Sequence, residues 1–125
     1  MQFARRVFLA AGIYGVLVLT PLYFLEKQIG EQMPPPITHP DYFYGFVGLA
    51  LVWNLLFLLI GTNPIRHRTL MLFALLEKLS YGGVVPILYA QGRVPLSVLV
   101  VGSIDLVWLV LFAIAYGKTP DREPS

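Results

Sequence analysis

Glu77, Lys78 and Asp105 are ionisable residues set in stretches of almost unbroken apolar sequence. A charge at the centre of a bilayer costs roughly 2.5–3.5 kcal/mol on insertion scales, so each such group needs a partner or a task. Two carboxylates and one ammonium make an ion pair with an acid to spare. If all three ionise, one negative charge is left over in a low dielectric. Either one acid holds a proton, or a cation or cationic ligand completes the group. The favoured arrangement pairs Lys78 with Asp105 and keeps Glu77 neutral. Glu77 and Lys78 are sequence neighbours, about 100° apart around a helix, so they are expected to face different ways. Tyr81, Asn54 and Tyr14 are the hydrogen-bonding candidates nearest to them in depth, and Arg68 joins them if its helix begins early.

Such a layer has two competing uses. Polar side chains between membrane helices serve as glue, worth about 0.6 kcal/mol each on average, and a lysine stem can snorkel toward the surface. Alternatively, Glu77, Lys78, Asp105, Tyr81, Asn54 and Tyr14 form a ligand-binding site. No catalytic residue is assigned, because the chain has no nucleophile elbow, phosphate loop or H-E-x-x-H pattern. No cofactor is expected. The absence of cysteine excludes disulfides, thiolate metal sites and thiol chemistry. His39 and Asp41 are too few to hold a metal and read as a helix-start turn.

Four elements must position these residues. The chain has 125 residues, 57% hydrophobic, with a mean hydropathy of +0.70. A soluble protein of this size could not bury so much apolar surface in one core. Apolar segments at 7–25, 42–61, 70–90 and 96–116 are each about long enough to cross a bilayer. The predicted fold is therefore an all-α transmembrane four-helix bundle, antiparallel and up-down, in one domain with a polar tail at 117–125. Arg5-Arg6-Val7-Phe8-Leu9 looks like part of an export signal, but the apolar run is too long for one and no cleavage site follows, so it reads as an uncleaved first helix. Asp41 is a candidate N-cap for the second helix. Pro86, four residues after Gly82, is expected to kink the third helix and open a cavity there. The connection at 26–41 reads as water-exposed and stiffened by Pro34-Pro35-Pro36, and the tight turn at 91–95 makes the last two helices antiparallel neighbours.

Arg5, Arg6, Arg66, Arg68, Lys118 and Arg122 all fall on one side of this topology, against Lys27 and Arg93 on the other. That bias predicts cytoplasmic termini in a multi-pass membrane protein. The helical rise then places Glu77 and Lys78 ~10–12 Å, Asn54 ~10 Å and Asp105 ~16 Å from the cytoplasmic face. The net charge of +2, with its basic residues scattered, excludes a nucleic-acid footprint. Arg66-His67-Arg68 suits anionic lipid headgroups as well as fixing topology.

From His39 to Tyr116 the chain resembles a family of small uncharacterised bacterial membrane proteins with four helices. The residues that carry the likeness are Tyr44-Gly45-Phe46, Asn63-Pro64-Ile65-Arg66-His67-Arg68, Leu76-Glu77-Lys78-Leu79-Ser80-Tyr81, Gln91-Gly92-Arg93 and Asp105. In layout it is distantly similar to DoxX-like proteins and to the sterol-isomerase and sigma-2-receptor group, which keeps acids within its helices around an apolar cavity. The resemblance implies a four-helix membrane fold and no particular reaction. Three functions follow as expectations. The first is binding of a lipid or small hydrophobic ligand at the Glu/Lys/Asp layer. The second is an accessory subunit beside a membrane-protein partner, and the third a proton- or cation-coupled carrier built as a homo-oligomer.

Overall fold

The computed structural model describes residues 2–32 and 36–121. Among these the protein is wholly helical: α1 (Gln2–Leu19), a 3₁₀ segment (Thr20–Phe24), α2 (Glu26–Gln32), α3 (Pro40–Thr62), α4 (Arg68–Ala90) and α5 (Leu96–Lys118). Four spans are long and apolar enough to cross a membrane: α1 with its 3₁₀ extension, α3, α4 and α5. This is the architecture of a multi-pass membrane bundle.

Local chemistry accounts for where the elements differ from expectation. The first span does not stay α-helical to residue 25. Pro21 lacks an amide proton and crowds the preceding turn, and the chain tightens into 3₁₀ geometry over Thr20–Phe24. The connection beyond is not simply extended, since Glu26–Gln32 forms a short helix tied on by the Ile29 amide donating to the Leu25 carbonyl (2.8 Å). Of the triple proline, Pro34 and Pro35 lie outside the described residues, as does Arg122. At the start of α3 the N-cap is His39, with no side-chain cap, and Pro40 occupies the first turn. Asp41 therefore is not the cap; it sits too far in, where its charge meets the positive end of the helix dipole. α4 runs unbroken through Pro86. The 91–95 turn is closed by Gly92, whose φ of +72° suits a residue without a Cβ, and by the Arg93 amide donating to the Leu88 carbonyl (2.9 Å).

Small residues set which helices meet. A Cβ on Gly12 would lie 2.6 Å from the Leu58 side chain, and one on Gly61 would lie 2.7 Å from Leu9. Gly15 leaves the space that the Asn54 amide fills. These pairs run in opposite directions along the two helices, so α1 and α3 are closely packed and antiparallel. Gly102 does the same for α5, where a Cβ would come within 2.8 Å of Val85. Gly82 lies against Leu106 and Asp105, so α4 and α5 form the second close antiparallel pair, as small residues allow between membrane helices. The two pairs join most firmly between α1 and α5, whereas α3 and α4 approach each other less.

Both described ends of the chain lie at the same end of the bundle, with Lys118 Nζ 4.7 Å from the Phe3 ring centre. Arg5, Arg6, Arg66 and Arg68 share that end, hereafter the basic end. The core lies toward it: Phe8 stacks on Phe112 at 4.3 Å and Phe57 meets Phe112 edge-on at 5.0 Å. Ala4, Ala11, Ile60, Met71, Ala74 and Ala115 fill the remaining space. The start of the tail is held in place. Arg68 donates to the Thr119 carbonyl (2.6 Å) and the Tyr116 hydroxyl (3.1 Å), lies over the Tyr116 ring, and pairs with Asp121 at 2.8 Å.

Candidate functional site

Toward the other end the helices separate around a cavity of about 350 Å³. The 63–67 loop ties α3 to α4 at the basic end and buries Pro64 and Ile65 there. No short connection holds them together at the far end. α2 lies beside the mouth, where Ile29 and Leu22 contribute apolar surface. It is held by Tyr44, whose hydroxyl donates to Glu26 at 2.9 Å, while the Tyr44 ring stacks on Tyr23.

All six residues singled out from the sequence line this one cavity: Tyr14 from α1, Asn54 from α3, Glu77, Lys78 and Tyr81 from α4, and Asp105 from α5. Lys78 Nζ lies 3.4 Å from Asp105 Oδ1, close enough to donate a hydrogen bond. It also lies 3.6 Å from Glu77 Oε2, so the expectation that sequence neighbours would diverge does not hold. The flexible four-carbon stem lets the ammonium lean across its own helix toward both acids. It is also 5.1 Å from the centre of the Phe57 ring, which ties the ion cluster to the aromatic core. The three side chains are only 8% (Lys78), 16% (Glu77) and 20% (Asp105) exposed, so the cluster faces the protein interior rather than the bundle's outer surface.

Glu77 differs from Asp105 in one respect. Its Oε2 is buried and accepts no hydrogen bond among the described residues. Two of the candidate partners are engaged elsewhere. Asn54 donates to the Ala50 carbonyl within its own helix (2.7 Å). Arg68 is committed to Tyr116, Thr119 and Asp121 near the basic end. Tyr81 places its ring 5.9 Å from Phe46, across the gap between α4 and α3. Buried polar atoms almost always find a hydrogen-bond partner, so a carboxylate oxygen held only by a 3.6 Å ion pair, in a residue that lines the cavity, has acceptor capacity left for a donor.

Glu77 and Asp105 fall near the middle of α4 and α5, which both run two residues further toward the basic end than hydropathy alone indicates. Gly82, Gly83 and Pro86 are not among the residues that line the cavity, and Gly82 brings α4 against α5.

The apolar walls escaped attention in the sequence because no single one of them is unusual. Phe43, Phe46, Ala50 and Asn54 recur at helical spacing on one face of α3, and Val98, Val101 and Asp105 do so on α5. That spacing is the signal that could have revealed them. Ile29 was hidden by the missed α2. Trp108 lies 6.0 Å from Tyr14 and packs with Phe112, a structural position next to the site. His39 stacks on Tyr42 at 4.8 Å, away from the cavity.

Comparison with protein-family models, curated proteins and solved structures finds no match to this chain. The functional reading therefore rests on the geometry.

Proposed function

We propose that this protein binds one lipid or small hydrophobic molecule within the membrane, with the ligand's polar end at the Glu77–Lys78–Asp105 cluster. The membrane would be a bacterial cytoplasmic one, with both termini on its cytoplasmic side. The observation that carries the reading is Glu77, whose Oε2 accepts no hydrogen bond among the described residues, on the wall of a cavity lined mostly by apolar and aromatic side chains. A pocket of this size with a few convergent polar groups suits a small ligand. Asp105 already has the lysine. Glu77 keeps acceptor capacity for a hydroxyl, an amide or a protonated amine that arrives with the ligand. Lys78 orients the two acids and offsets one of their charges. The gathering of Arg5, Arg6, Arg66, Arg68 and Lys118 near both described ends supports the orientation.

Native mass spectrometry of the protein, extracted gently from its own membrane, tests this. A bound small molecule is expected on the wild type and lost in Glu77→Gln, with the protein still folded. Partner proteins retained equally by the wild type and both acid variants, Glu77→Gln and Asp105→Asn, would make the chain a subunit instead. A bare and equally stable protein in all three would leave the cluster as interhelical glue. A carrier would show pH-dependent flux in vesicles that Asp105→Asn abolishes.

A further inference from the structure

Outside the cavity, on the surface between α3 and α4, lies a second hollow of about 270 Å³. Leu49, Trp53, Ser80 and Val84 form its flanks. Phe46, Ala50, Glu77 and Tyr81 line both this groove and the inner cavity. These four residues thus form the partition between the two spaces. Its largest parts are the rings of Phe46 and Tyr81, tilted at 34° with centres 5.9 Å apart. Ring rotation is a fast and local motion, unlike the separation of packed backbones.

The other ways in are better closed. α1 and α3, and α4 and α5, touch through glycines that leave no gap. The basic end is filled by Phe8, Phe57 and Phe112. α2 and the 3₁₀ segment sit beside the far mouth. Among the described residues the α3–α4 seam has the fewest close approaches of the seams between neighbouring spans, and in a membrane its mid-helix position would meet hydrocarbon. Phe46 and Leu49 are 49% and 67% exposed on that surface.

We infer that the α3–α4 seam is a lateral portal gated by Phe46 and Tyr81, and that the ligand is a single-chain amphiphile drawn from the bilayer rather than from water. This rests on the binding reading above. The amphiphile's donor group reaches Glu77 while its chain lies in the outer groove, continuous with lipid. Glu77 belongs to both spaces, so the same carboxylate that meets the ligand at the portal holds it inside.

The test uses full-length protein in lipid nanodiscs and dodecylamine as the probe. Protein loaded with dodecylamine is chased with its deuterated form, and exchange is followed by native mass spectrometry. The chain has no cysteine, so Phe46→Cys with Tyr81→Cys places two unique thiols on the gate, to be bridged by a bifunctional methanethiosulfonate and freed by reductant. Bridging is expected to slow exchange at least about tenfold, the equivalent of roughly 1.4 kcal/mol on the opening step, and reductant to restore it. Phe46→Ala is expected to exchange faster than wild type, and serves as the test if the double variant does not fold. Equal exchange in bridged and reduced protein, or in Phe46→Ala and wild type, overturns the portal and leaves the site standing. Failure of the wild type to retain dodecylamine, or retention equal to that of Glu77→Gln, overturns the site reading and the portal with it.

Discussion

At the basic end four helices interlock through rings and small side chains, while at the far end the same helices stand apart around a cavity. The difference begins with connectivity. The 63–67 loop draws α3 and α4 together at the first end, so Phe57, Ile60, Met71 and Ala74 share one core with Phe8 and Phe112. Beyond Asn54 and Lys78 no loop closes the seam, and bulky residues give way to a polar cluster backed by apolar walls. Within a membrane, packing rather than the hydrophobic effect holds helices together, because lipid dissolves a leucine as well as a protein core does. A bundle firmly packed at one end can therefore leave the other open without collapse. The lesson is a division of labour along the helix axis: one half holds the fold and the other is free to hold something else.

Lys78 sits where the halves meet, and its loss should have the largest effect. Lys78→Met leaves two carboxylates facing each other and is expected to cost about 3–5 kcal/mol, as removal of one partner from a buried ion pair does. Thermal melting in detergent would show it, and a melting point equal to wild type would mean that the ion cluster contributes nothing to the fold. Phe112→Ala comes next, at about 2–3 kcal/mol, chiefly the cost of the cavity it leaves. It should lower the melting temperature while ligand retention by the folded fraction is unchanged; the opposite pattern would show that the halves are coupled.

Within the open half, the two acids should separate from each other. Asp105→Asn is expected to cost about 2 kcal/mol, because it weakens the hydrogen-bonded partner of Lys78. Glu77→Gln is expected to cost less than about 1 kcal/mol, since its Oε2 makes no hydrogen bond among the described residues and gives up only the longer, 3.6 Å ion pair to Lys78. Equal melting of the two variants would remove the distinction between a structural acid and a ligand-facing one. The smallest effect is a gain. A Cβ added at Gly45 would meet no neighbouring atom within 4 Å among the described residues. Gly45→Ala, inside α3, should therefore stabilise by about 0.5–1 kcal/mol. A loss there would mean that something packs on this part of the helix.

Much of the layout was legible in the sequence because a helix converts residue number into depth. Four apolar runs marked four spans, and the spacing of Tyr14, Asn54, Glu77 and Asp105 placed them at similar heights before any packing was known. The pairing of Lys78 with Asp105 followed from that arithmetic and from the short turn at 91–95. Other features depend on contacts that no periodicity encodes. The convergence of Lys78 on Glu77 reflects a side-chain conformation, not a helical phase. The Arg68 clasp joins residues about fifty positions apart. α2 is too short to announce itself by pattern, and the site's outer wall depends on which of the helix seams stays loose.

The turn that joins α4 to α5 has a consequence for how the protein is made. α4 is the least apolar of the four spans and carries Glu77 and Lys78, while α5 is the most apolar and carries Asp105. Synthesis proceeds from the N-terminus, so α4 emerges from the ribosome before the carboxylate that completes its ion pair. Until then, partition of α4 into lipid bears the cost of charged groups without Asp105 to offset it. The tight Gly92 turn delivers α5 directly after α4, so the two segments can enter the bilayer as one hairpin with their charges already facing each other. A chain halted within the 91–95 turn is expected to leave α4 inefficiently integrated, and extension through Asp105 to rescue it.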